Sequence, residues 1–390
     1  MIDTKTHPIL SPQAGYGYIP GLDGIRAISV LIVILAHMGL EHLIPGGFGV
    51  TVFFFISGFL ITRLLIAERE AKGRIGLKQF YIRRFIRLYP ALLLMVICTS
   101  IAYLALGWGG PTLIELLSAV FYGTNIFQVV TRMGGELPFM PWTHLWSLAV
   151  EEHFYLIFPA FLVLLGGNWK RILWGLGVVL FAALLWRVVI YTQTALPVQD
   201  YTYMMTDTRI DSLVWGCFLS VLLHVLGDAS RLKRLMGWVP IGAALVAILA
   251  SFLIRDESFR YTARFTLQGM ALFVLFLNLF FWDKVRWVIS ILEWKPLAWF
   301  GVVSYALYLW HVPIIDMCVR TMGDTTLAHL IAFPISVYFA AVSYYLVEKR
   351  FLALRKKFGS HGITKTEPAA SGLAKDPKAA AIARVLGKRS

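Results

Sequence analysis

An arginine and a histidine stand where an apolar helix should tolerate neither. Arg26 and His37 interrupt GLDGIRAISVLIVILAHMGL, residues 21–40, a stretch otherwise greasy enough to span a bilayer. Ionisable groups at that depth are costly and mark sites or pathways. Eleven residues at about 100° each bring both side chains to within roughly 20° of one helix face, and a rise of ~1.5 Å per residue sets them roughly 16 Å apart along it. An anion held at one end of a helix and a proton-transfer group towards the other point to chemistry inside the membrane. A second set, RRFIRLYP, places Arg83, Arg84 and Arg87 at i,i+3 and i,i+4 spacing. Guanidinium forks match phosphate oxygens bidentately, although the run taken alone fits a lipid-headgroup anchor better. Glu151 and Glu152 in HLWSLAVEEHFYLIFP are carboxylates on another apolar stretch. One of them can orient an imidazole, Glu151 first and Glu152 second; consecutive helical residues point about 100° apart, so not both.

The elements that must carry these groups are membrane helices. The 390 residues are 58% hydrophobic and 15% charged, with a mean hydropathy of +0.71, which excludes soluble multidomain classes. Apolar spans are expected near 22–40, 48–66, 89–107, 143–165, 172–191, 209–227, 236–254, 262–282, 297–318 and 327–347. The fold expected is therefore an all-α integral membrane protein of about ten spans. A further stretch, 112–130, is read as a re-entrant or interfacial helix on the outer side. With that count, 28 of the 36 Lys and Arg fall on the side of the termini and five on the other. That is the positive-inside pattern for cytoplasmic termini at the inner membrane. The charge of +14 thus encodes topology and contact with the lipid bilayer, and no nucleic-acid partner is expected. Residues 1–20 form a cytoplasmic N-terminal segment without a cleavable signal peptide, 21–350 the membrane domain, and 351–390 a basic, disordered cytoplasmic tail with no room for a second catalytic domain. The interleaved aromatics and arginines before Pro90 suggest an amphipathic helix on the inner surface, with Pro90 near the start of the third span. Cys98, Cys217 and Cys318 show no metal or disulfide spacing, and no metal is expected.

GLDGIRAISVLIVILAH, GGFGVTVFFFISGFLIT, RRFIRLYP, HLWSLAVEEHFYLIFP, RIDSLVWG and SYALYLWHVP follow one another from about residue 20 to 350. In this order, with Arg-x10-His intact, they resemble the successive blocks of the membrane acyltransferase family 3. The family pattern has glutamine where this chain carries His153, so local hydrogen bonding should differ there. The resemblance implies transfer of an acyl group, commonly acetyl, from cytoplasmic acyl-coenzyme A to a hydroxyl of a sugar, often a glycan or lipid-linked sugar on the outer side. Arg83, Arg84, Arg87 and Arg26 would then receive coenzyme A phosphates and steer the thioester end, Arg26 having Asp23 as a structural alternative. His37 would be the base, with acyl-CoA, most simply acetyl-CoA, as donor. Direct transfer and a covalent acyl-histidine both fit.

Arg209 and Asp211, in TDTRIDSLVWG, either hydrogen-bond a sugar acceptor or form an intramembrane ion pair, and the two readings weigh equally. His144 and Trp146 begin the fourth span, where a ring can stack on a sugar or anchor in the interfacial belt. Tyr305, Tyr308, Trp310 and His311 belong to a family block, but aromatic stripes are usually core. A partner in polysaccharide assembly is compatible with this scheme. The competing class is a proton-coupled transporter using His37, Glu151 and Arg209 as a relay; the arginine cluster and the lack of a repeat disfavour it.

Overall fold

A computed structural model describes residues 18–194 and 196–355. Most of the segment 1–20 and the tail beyond residue 355 lie outside the described residues. The chain order is α1 (Leu22–Leu35), α2 (Gly46–Lys72), α3 (Leu77–Ala105), α4 (Leu113–Val120), α5 (Thr124–Met133), α6 (Trp146–Leu164), α7 (Trp169–Gln193), α8 (Val198–Met204), α9 (Thr206–Leu226), α10 (Trp238–Leu253), α11 (Glu257–Tyr261), α12 (Arg264–Phe281), α13 (Arg286–Leu292), α14 (Lys295–Val302), α15 (Ser304–Met322), α16 (Thr326–Ser343) and α17 (Lys349–Arg355). Among the described residues, eight helical stretches are long and apolar enough to cross a membrane, and ten if two bent pairs each count as one span. The protein is a polytopic, all-helical membrane protein. Helices suit that setting because they satisfy every backbone polar group within the segment.

Packing follows bilayer rules. Trp174, Val178 and Phe181 form an exposed apolar stripe along α7, as Ile97, Ile101 and Leu104 do on α3. Polar groups turn inward. At the centre α2 lies against α9 with glycine on both sides of the contact. A Cβ on Gly58 would stand 1.9 Å from the Leu213 carbonyl oxygen, and one on Gly216 2.0 Å from that of Phe55. Small residues let membrane helices approach this closely, and the Cys217 thiol completes the seam by donating to the Gly58 carbonyl at 3.3 Å.

Two expectations are corrected here. The basic run before Pro90 is not a separate surface helix: α3 is one helix of 29 residues with Pro90 inside it. Proline removes a single hydrogen bond, that to the Ile86 carbonyl. The packed faces on either side, including buried Phe80, Leu88 and Ala91, hold the helix through it. The stretch 297–318 is not one straight span, because α14 and α15 meet at 73°. There α14 crosses the start of α1 so closely that a Cβ on Gly301 would lie 1.9 Å from the Asp23 carbonyl oxygen. At the end of α1 the α-helix stops at Leu35, and residues Ala36–Leu40 form a wider π-helical turn. The backbone leaves helical values only at Met38 and Gly39, beyond His37, so the 100° step from Arg26 to His37 is not interrupted.

Residues 112–130 do not span. They form the pair α4 and α5, which turns at Tyr122, the one described non-glycine residue with positive φ (55°). The tip meets α3 at Tyr89, whose hydroxyl donates to the Val120 carbonyl at 2.5 Å and whose ring lies 5.9 Å from that of Tyr122. Tyr89 is roughly 24 Å along α3 from its far end, so the pair is a re-entrant hairpin.

Candidate functional site

Among the cavities of the described residues, two are joined by α1 and α2, which run from one to the other. Arg26 on α1 and Arg63 on α2 line a basic cavity of ≈ 120 Å³. At the opposite ends of the same helices, His37 and Gly46–Gly47 line an aromatic cavity of ≈ 730 Å³. Val50 and Tyr308 belong to the walls of both. Tyr308 is fixed as a partition: its hydroxyl meets Ser147 Oγ at 2.7 Å and the His144 carbonyl at 2.8 Å.

Four guanidinium groups, those of Arg26, Arg63, Arg84 and Arg87, line the basic cavity. Arg26 has Asp23 at 3.9 Å. Arg84 lies 3.4 Å above the Tyr155 ring, with Glu152 at 3.6 Å and Glu151 at 3.9 Å. Arg83 points elsewhere, to buried Glu68 at 3.0 Å, and is no part of the wall. The RRxxR run is therefore divided: two members face the cavity and one braces α3 against α2. Arg63 was hidden in the sequence among the topology-setting charges of the inner loop. Its signal is spacing, since it follows Ile56, also of the wall, by seven residues, nearly two turns.

Glu151 also lines this cavity, where it accepts from the hydroxyls of Ser57 and Tyr155. The expected pairing of Glu151 with His37 is not formed. Glu151 belongs to the basic cavity and His37 to the aromatic one, with Tyr308 at their common wall. Glu152 is turned to Arg84 and leaves Oε1 buried without a hydrogen bond. His153 Nδ1 lies 2.8 Å from Thr206 Oγ1, which also accepts from Asn125 at 3.1 Å.

The partner of His37 is another imidazole. His37 Nδ1 lies 3.1 Å from His311 Nε2, and His311 Nδ1 lies 2.7 Å from the Tyr308 carbonyl oxygen. His144 packs against the same ring at 5.2 Å, with its Nε2 3.2 Å from the Leu309 carbonyl. Pro313, inside α15, explains why that carbonyl is available: having no N–H, it cannot complete the helical bond to residue 309. His311 and His144 are buried, whereas His37 is exposed to the cavity. Nothing but the block SYALYLWHVP marked His311 in the sequence. Among the described residues no group of three or more His, Cys, Asp or Glu is arranged to hold a metal ion.

The aromatic cavity also takes in Trp146, Tyr203, Phe265, Gln268, Arg260 and Arg264. Arg209 and Asp211 are not in its wall. Arg209 is fully buried behind it, 3.8 Å from the Phe265 ring and within 6 Å of Trp146, Tyr203 and Phe54, and it donates to Thr51 Oγ1 at 3.0 Å. Asp211 is paired, though not with Arg209: Arg187 Nη2 reaches it at 2.8 Å, both side chains having no exposure. Of the two readings left open for Asp211, the geometry takes the ion pair and removes the acceptor contact.

A bundle of spans that keeps histidine and guanidinium groups around internal cavities defines a polytopic membrane protein with polar sites inside the bilayer. Residues 19–348 match the acyltransferase domain family Acyl_transf_3, and the chain belongs to that family. A protein of Staphylococcus aureus strain COL named "Putative O-acetyltransferase SACOL0978" is 33% identical over 352 residues, 86% of this chain and 57% of its own length. The O-acetyltransferase OatA of Staphylococcus aureus strain NCTC 8325 is 32% identical over 389 residues, 93% of this chain and 63% of its own. The chain thus spans about three fifths of the length of these curated relatives. No solved structure matches it.

Proposed function

We propose that the protein transfers an acyl group, acetyl in the simplest case, from acyl-coenzyme A to a hydroxyl of a glycan or lipid-linked sugar. The observation that carries this reading is the pair of cavities sharing Val50 and Tyr308, one lined by guanidinium groups and the other by aromatic rings and His37. Coenzyme A is a polyphosphate on a long thiol arm, and Arg26, Arg63, Arg84 and Arg87 match its charged end. The arm then points its thioester at the partition. Trp146 and Tyr203, with ring centroids 4.9 Å apart, offer the larger cavity a platform for a sugar face, and Gln268 and Arg264 offer hydrogen bonds.

His37 accepts the proton of the acceptor hydroxyl as its oxygen attacks the thioester carbon. The C–S bond breaks, and the same imidazole returns the proton to the departing thiolate. A positioned base of this kind contributes roughly 10²–10⁴ in rate. In this reading the basic cavity opens to the cytoplasmic side of the inner membrane and both termini are cytoplasmic, which the positive-inside charge pattern supports. The names of the relatives favour acetyl as the group moved, and a polysaccharide-assembly partner would present the acceptor.

The test is acetyl-CoA binding and turnover by the purified protein beside His37→Ala and Arg87→Ala. Saturable binding weakened by the arginine change, with turnover lost in the histidine variant, is expected. A folded protein that neither binds nor turns over acetyl-CoA would refute the proposal and favour the transporter.

A further inference from the structure

Two backbone carbonyls decide where the protons sit on the histidine cluster. A carbonyl oxygen only accepts, so the contact of His311 Nδ1 with the Tyr308 carbonyl at 2.7 Å places a proton on that nitrogen. His311 has no exposure, and no carboxylate is among its hydrogen-bond partners; a buried charge without a partner is costly, so the ring is neutral. A neutral imidazole protonated at Nδ1 carries a bare lone pair at Nε2. That lone pair lies 3.1 Å from His37 Nδ1, so His37 Nδ1 is the donor. His37 is thereby held in its Nδ1–H form, and its Nε2 is the bare atom. His144 is fixed by the same logic: Nε2 donates to Leu309, and Nδ1 is left buried without a hydrogen bond. This packs a neutral ring against His311, not a second charge.

We propose that His311 is the positioning residue of the site, setting the tautomer of His37 so that Nε2 is the atom that takes the acceptor proton. This rests on the acyl-transfer reading above. When Nε2 is protonated, His37 becomes an imidazolium whose Nδ1–H already points at the His311 lone pair. The hydrogen bond becomes charge-assisted and strengthens. No proton passes on to His311: the one gained at Nε2 goes to the thiolate of coenzyme A, and neither ring changes oxidation state. His37 lies within the π-helical turn at Ala36–Leu40, and π-turns are frequent at functional sites.

Nitrogen NMR of the histidine-labelled full chain tests this, with the His37 signals assigned by their disappearance in His37→Ala. The expected wild-type pattern is a protonated Nδ1 and a bare Nε2 on His37. His311→Phe removes the acceptor and should return His37 to the Nε2–H form usual for a free imidazole, lowering kcat roughly 10²–10⁴-fold. The acetyl-CoA dissociation constant should stay unchanged and certify folding. His311→Asn, which keeps an acceptor oxygen, should restore part of both the NMR pattern and the rate.

A wild-type His37 protonated at Nε2 overturns the proposal, as does a His311→Phe protein whose His37 shifts and kcat match the parent. Because the NMR pattern is read without turnover, the two readings fail separately. A protein with the expected tautomer that ignores acetyl-CoA refutes the transferase and leaves the assignment standing.

Discussion

Replacing Asp211 by asparagine separates a structural charge from a substrate-binding one. Arg187 gives Nη2 to Asp211 at 2.8 Å and to Thr266 Oγ1 at 2.6 Å, Nη1 to the Thr208 carbonyl at 2.6 Å and Nε to the Thr262 carbonyl at 2.7 Å. Asparagine keeps the shape and one acceptor oxygen but removes the negative charge opposite a guanidinium with no exposure. Breaking a buried pair at one partner costs about 3–5 kcal/mol. The three bonds that Arg187 retains put the expected loss near the lower end, about 3 kcal/mol. Arg187→Gln should cost a similar amount, while the double variant buries no charge and should lose less than the sum, by on the order of 2 kcal/mol. Unfolding in mixed detergent, followed through the 13 tryptophans, measures all four proteins. Additive losses would refute the coupling. An Asp211→Asn protein of parental stability with a raised KM for the acceptor would restore the sugar contact.

Within the RRxxR run, Arg87→Ala should weaken acetyl-CoA binding by about 1.5–3 kcal/mol for each charge-assisted hydrogen bond it removes. Arg83→Ala, whose guanidinium faces Glu68, should leave the dissociation constant within twofold; equal effects from both would return the run to a general surface charge. Glu151→Gln should leave the kcat of bound donor near the parent value and tighten donor binding, because Arg84 is released from a competing carboxylate. A kcat as low as that of His37→Ala would reinstate Glu151 as the partner of the base. His37→Ala itself should lose roughly 10²–10⁴ in kcat at unchanged donor affinity, read by thiol release and equilibrium binding.

Periodicity and charge made the spans legible, because a bilayer imposes length and apolarity on every crossing segment. They also marked 112–130 as something other than a span. What they could not give was the partner of each buried ion. Asp211 sits two residues from Arg209, yet its charge is met by Arg187 from α7, since a helix turns about 200° over two residues and sends such side chains to different neighbours. Glu151 is a plausible orienter of His37 by residue type, but pairing across helices depends on rotations that hydropathy does not encode. The π-turn after Leu35 is a further case. It breaks the helix at Met38 and Gly39, directly after His37, and only the glycine hints at it in the residue pattern.

The wall between the cavities then determines what the chemistry requires. The basic cavity and His37 stand on opposite sides of Val50 and Tyr308, so under the proposed reaction a thioester held by the arginines would meet His37 only past that wall. Tyr308 contributes to both sides with different atoms: its hydroxyl ties to Ser147 and the His144 carbonyl, while its own carbonyl holds the His311 proton. A displacement of Tyr308 to admit the acyl group would therefore pull on the hydrogen bond that sets the tautomer of the base. Under the proposed reaction, arrival of the donor and readiness of His37 are coupled through one residue. Tyr308→Phe tests that coupling. It removes the hydroxyl anchor and keeps the carbonyl, so the His37 tautomer should persist while acetyl-CoA turnover changes. A His37 that no longer carries its proton on Nδ1 in that variant would show that the anchor, not the carbonyl, positions α15.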